Sequence, residues 1–177
     1  MNANIISKVG ALLLGFMLAM PANATLIQFQ SNIDGSQASA GIGTGSTATG
    51  SGLITLDDVS NLMSWDISWS GLLGTFTLAH FHGPALSGQN AGVELTIPVF
   101  PPSDLSMGSA TITALQAADL LNDLWYINIH SARDPGGEIR GQVIRQASST
   151  VPEPSTMFLF VAGITGLALS RLRRKKK

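Results

Sequence analysis

The chain has 177 residues, 45% of them hydrophobic and 12% charged, with no cysteine. That length suits one domain, the composition is too apolar for a disordered chain, and the lack of cysteine excludes a disulfide framework, a thiolate metal site and a cysteine nucleophile. The formal net charge of −1 hides a segregation: between Thr25 and Pro152 ten acids face only Arg133, Arg140 and Arg145, a net of −7 that argues against nucleic acid as a partner.

The first 24 residues read as an export signal. One lysine, Lys8, precedes an apolar run from Val9 to Met20, and Pro21 and the small-x-small pattern Ala22-Asn23-Ala24 follow. The run would cover about 18 Å as a helix, well short of a bilayer core of about 30 Å. This layout predicts signal-peptidase cleavage after Ala24 and a mature chain starting at Thr25.

From there period-2 alternation dominates. "LMSWDISW" sets Met63, Trp65, Ile67 and Trp69 on one face, and "LIQF", "GLITL", "TFTLAHFH", "GVELTIPV", "SATIT", "WYINIH" and "EIRGQVI" also read as strands. Gly- and Pro-rich segments separate them. One helix is expected in "TALQAADLLND", with Thr113 and Gln116 forming a capping box and Leu120, Leu121 and Leu124 docking it. The expected fold is all-β: an antiparallel, Greek-key-like β-sandwich over residues 25–147, with one short helix and a core rich in Trp65, Trp69, Trp125 and Phe.

Three of these strands carry polar residues on one face. "FTLAHFH" holds His80 and His82, two of the chain's three histidines; "WYINIH" holds Tyr126, Asn128 and His130; "EIRGQV" holds Glu138, Arg140 and Gln142. If the last two strands pair with 126 opposite 142 and 128 opposite 140, both polar sets share a side. Such an array reads as a semi-buried network in which each group finds a partner. His80 and His82 share parity with Phe76 and Leu78, so either the strand changes face near Ala79 or the histidines line the end of the core.

After a 148–154 linker, Pro152-Glu153-Pro154 leads into a mostly apolar run, 155–172, about 27 Å as a helix, and then into six cations from Arg171 onward. The basic cluster places the preceding domain outside the cytoplasm. Pro-Glu-Pro, an apolar helix and a basic end resemble the PEP-CTERM sorting signal. That resemblance implies a Gram-negative, exopolysaccharide-producing host, recognition by a membrane-embedded exosortase, and removal of the 155–177 tail, leaving the domain at the outer surface or in the biofilm matrix.

The stretches "GLLGTFTLAHFHGPA", "LNDLWYINIHSARDPGGEIRGQV" and, more loosely, "ITALQAADLL" resemble the CHRD domain, named for its repeats in chordin. Its chordin members imply extracellular protein binding, and its bacterial members an exported β domain. Where the family pattern carries an acidic, proline-rich segment after the first strand, this chain has "GSQASAGIGTGSTATG".

These residues are compatible with three functions of unequal support. The first is a binding or structural module, without a cofactor, directed to exopolysaccharide or surface proteins; Glu138 and backbone groups would then satisfy the imidazoles. The second is a metalloprotein in which His80, His82 and His130 hold Zn²⁺ or Cu²⁺, with redox chemistry open to the copper form. The third, an acid–base hydrolase built on Glu138, lacks a positioned nucleophile, and there is no G-x-S-x-G, P-loop or dinucleotide fingerprint.

Overall fold

The computed structural model describes residues 24–100 and 103–147. Ala22 of the cleavage pattern, the Pro152-Glu153-Pro154 motif and the 155–172 apolar run lie outside the described residues. The strands are β1 (Leu26–Asp34), β2 (Thr49–Asp57), β3 (Leu62–Ser70), β4 (Phe76–His82), β5 (Val93–Ile97), β6 (Leu105–Thr111), β7 (Tyr126–Ser131), β8 (Ile139–Gln142) and β9 (Ile144–Arg145); helix α1 (Ala114–Leu121) lies between β6 and β7. The sequence pattern predicts seven or eight strands. The ninth arises because the final stretch is interrupted at Val143: its N–H bonds Trp125 O, the next step of the β7–β8 register, and Ile144 and Arg145 then continue against β1 in the register of the Asp34–Arg140 pair.

All pairings are antiparallel, and the strands form one sheet in the order β5-β4-β7-β8-β1-β2-β3-β6, with β9 beside β1. The sheet folds over on itself. Trp65 of β3 meets Phe81 of β4 edge-on at 5.7 Å, and Trp69 stacks on Phe76 at 5.4 Å, although β7, β8, β1 and β2 separate these two strands in the sheet. The result is a near-barrel sandwich with the core between its halves, and connections such as β3–β4 cross from one half to the other, as in a Greek key.

Alternation drives this closure. Ile27, Phe29 and Ile33 of β1, Ile54 and Leu56 of β2, and Met63, Trp65, Ile67 and Trp69 of β3 all point inward and are buried. Phe81, Trp125, Ile127 and Ile129 meet them from the other half. Burying each such side chain contributes about 1.5–3 kcal/mol against the entropy of ordering the chain. Helix α1 starts as expected: Thr113 Oγ1 accepts from Gln116 N, and the Gln116 side chain accepts from Thr113 N. Leu120 and Ala117 enter the core and Leu121 packs at its edge. Leu124 lies past the helix end and is only half-buried, its carbonyl accepting from Ala85 N.

Candidate metal centre and adjoining cleft

Strand β4 settles the parity question by changing face. Phe76 pairs with Ser131 and Leu78 with His130, so the β4–β7 register slips by one residue at Thr77. Before the slip Phe76 points to the core; after it Ala79 and Phe81 do, and Leu78, His80 and His82 turn outward. Next to β4, strand β7 turns Tyr126, Asn128 and His130 to the same outer side. Strand β8 adds Arg140 and Gln142, with Tyr126 opposite Gln142 and Asn128 opposite Arg140, as the sequence predicts.

This outer face is not solvated. Tyr126, Asn128, His130, Arg140 and Gln142 are all buried, because loops lie over them. The β4–β5 loop is held by Gln142 Nε2 donating to Ala85 O and Arg140 Nη1 donating to Gln89 O at 2.7 Å. The β7–β8 loop is held by Asn128 Nδ2 donating to Gly136 O at 3.0 Å. Gly137 makes that contact feasible: its φ is +121°, and a Cβ there would overlap the Asn128 amide. The β1–β2 loop is tied in by Thr44 Oγ1 donating to Glu138 O and Gln142 N donating to Gln37 Oε1.

The three histidines converge at the outer face. Their ring centroids are 5.3 Å apart for His80–His130, 5.6 Å for His80–His82 and 6.1 Å for His82–His130. One nitrogen from each lies within 4.8 Å of the others. Two of the rings have their tautomer set by backbone. His130 Nδ1–H donates to Pro135 O at 2.8 Å, and His82 Nδ1–H donates to Ala91 O at 3.0 Å. In the neutral form of these rings both Nε2 atoms carry lone pairs. That of His130 accepts from Asn128 Nδ2 at 3.2 Å, while His82 Nε2 and His80 Nδ1 are buried with no partner. Burial, with the neighbouring imidazoles adding to it, pushes His80 below its ordinary pKa; burial likewise lowers His130, against the opposing pull of Pro135 O. Both shifts favour the neutral form of His80 and His130, the state in which imidazole binds metal.

Glu138 does not join this cluster. Its carboxylate, fully buried, turns away and accepts from Ser46 Oγ at 2.6 Å, Leu73 N at 2.6 Å and Gly74 N at 3.1 Å. Two of those donors are backbone groups of the β3–β4 loop, which alternation cannot bring to notice; contrary to expectation Glu138 does not satisfy the imidazoles, and backbone carbonyls hold His82 and His130. Arg140 lies with its guanidinium carbon 3.5 Å above the Tyr126 ring, and Tyr126 also stacks on His82 at 5.0 Å. Beside this ladder opens a cleft of about 450 Å³, lined by His82, His130, Asn128, Arg140 and the three loops. The loop contributors, among them Ser39, Asn90 and Pro135, gave no signal in the sequence beyond the Gly and Pro that mark turns.

A family model for the CHRD domain matches residues 29–143, and one for the PEP-CTERM protein-sorting motif matches residues 150–175. No curated protein and no solved structure matches the chain. The sorting motif marks an exported protein, passed through the membrane to exosortase. Spanning β1 to the end of the histidine-bearing half-sheet, the first match places this chain in the CHRD domain family.

Proposed function

We propose that this is an exosortase-sorted surface or matrix protein whose CHRD domain, residues 25–147, is a binding module holding a Zn²⁺ or Cu²⁺ ion through His80, His82 and His130. One observation carries the reading: three imidazoles converge, two with Nδ1 tied to backbone carbonyls, and two ring nitrogens are buried with nothing to bond. A buried unpaired nitrogen costs about 1–3 kcal/mol, which a metal bond would offset. Backbone carbonyls that fix the tautomer are the usual second layer of a histidine–metal site.

Zinc at about 2.0–2.1 Å from each nitrogen would set the nitrogens about 3.4 Å apart. Binding would draw the ring nitrogens in from their present separation of up to 4.8 Å. Three imidazoles leave a fourth position for water or a ligand, on the side where the cleft opens. Ligand capture at that open position is the role that fits a binding module.

The test is metal titration of the purified full-length protein by calorimetry, with metal content read by mass spectrometry. One equivalent of Zn²⁺ or Cu²⁺ should bind and raise the melting temperature by several degrees. The His80→Gln/His82→Gln double variant should lose both effects. Absence of stoichiometric binding by either ion would return the imidazoles to a purely structural role.

A further inference from the structure

We propose that the cleft beside the histidines is a binding site for the carboxylate of a small hydroxylated acid, with Arg140 as the group that receives it. Charge is the first reason. Among the described residues the cations are Arg133, Arg140 and Arg145, and two of these three line this one cleft of a strongly acidic domain. The only acid in the lining, Asp134, sits 3.7 Å from Arg133, which leaves a single unmatched positive charge.

That charge is Arg140. It is 2% exposed, and among the described residues no carboxylate lies within ion-pair distance of it. Glu138, the obvious partner two residues earlier on the chain, is committed to Ser46, Leu73 and Gly74. A buried cation without a counter-ion is costly, and an anion entering the cleft would relieve that cost. The guanidinium is already oriented for it: Tyr126 supports its face, while Gln89 O at 2.7 Å, Gln142 Oε1 at 3.2 Å and Leu86 O at 3.5 Å take three hydrogen bonds. Of the five N–H groups, Nε–H and one on Nη1 have no acceptor, and either can donate to an incoming carboxylate.

One unmatched charge suits a monoanion, not a dianion. The volume of about 450 Å³ suits a small molecule or one residue of a polymer. Apart from the charged groups the lining offers the Ser39 hydroxyl and the Asn90 amide, which match ligand hydroxyls better than an apolar body. The site does not depend on the metal, because the charge of Arg140 is present with or without an ion.

The experiment is calorimetric titration of the full-length protein with glucuronate, once after chelator treatment and once loaded with zinc. Glucose serves as the neutral analogue, sulfate as the rival anion, and a polyuronate as the polymeric source. Glucuronate should bind one to one in both forms, with glucose at least tenfold weaker. Arg140→Gln should weaken glucuronate at least tenfold. Because that variant alters a buried group, Asn90→Asp at the exposed rim is the second arm; it should weaken glucuronate several-fold with the melting temperature unchanged. A polyuronate that binds as tightly as glucuronate supports a polysaccharide ligand, and one that fails while glucuronate binds supports a free acid. Glucuronate binding without any zinc binding supports this inference and sinks the metal centre. The inference is overturned if glucuronate binds neither form, if glucose or sulfate matches it, or if Asn90→Asp binds it like the native protein.

Discussion

Replacing Glu138 by Gln removes a charge that clamps the β3–β4 loop onto β8. Burial alone pushes this carboxyl up, but hydrogen bonds from Ser131, Ser46 and the Leu73 and Gly74 N–H groups outweigh it and bring the pKa from 4.5 to about 2. At about 1.4 kcal/mol per unit the displacement amounts to about 3 kcal/mol, or about 2 kcal/mol once solvent screening near the loop is allowed for. Because the folded-state pKa is the lower one, this stability is fully present above about pH 4.5 and is lost as the pH falls toward 2. Glu138→Gln should therefore melt about 6–10 °C below the native protein at pH 7, taking about 4 °C per kcal/mol for a domain of this size. The gap should narrow steadily below pH 4.5. Tryptophan-fluorescence melts of both proteins from pH 7 to pH 2.5 would show it. A gap that stays constant across that range would refute the assignment of the low pKa to this clamp.

Gly137→Ala should destabilise by at least about 2 kcal/mol, since it forces a side chain into a positive-φ position against the Asn128 amide; chemical denaturation measures it, and zinc affinity should fall with the displaced Asn128. Thr113→Ala should cost about 1 kcal/mol through loss of the capping box at α1, seen as a lowered denaturation midpoint with an unchanged slope. A chain cut to residues 25–147 should remain soluble and unfold in one cooperative transition, because the last strand ends at Arg145; a broad, non-cooperative melt would place the domain boundary elsewhere.

Much of the frame is legible in the sequence because period-2 alternation and the core are the same physical fact. Met63, Trp65, Ile67 and Trp69 alternate because β3 has one face on the core. The β7–β8 register is legible for a related reason: any odd slip would put Ile127 and Ile129 on the side of Arg140. Two things are not legible. Strand β4 reads as a face conflict, since a one-residue slip at Thr77 cannot be placed from residue types alone. The fate of Glu138 is hidden too, because its partners include backbone N–H groups some 65 residues away, which every residue type but proline offers. The cleft escapes notice for the same cause: its walls are loops, and their carbonyls decide the histidine tautomers without leaving a mark in the side chains.

The slip at Thr77 also bears on how relatives of this chain should be aligned. Between Phe76 and Ala79 the strand carries one residue more than its partner needs. A relative shorter by one residue there would have a plain strand with Phe76 still inward and both histidines still outward. A gap at that point is silent for the site. A gap of the same length between Ala79 and His82 would turn one or both imidazoles into the core, so moving a single deletion three or four residues along the strand separates relatives that can share this chemistry from those that cannot.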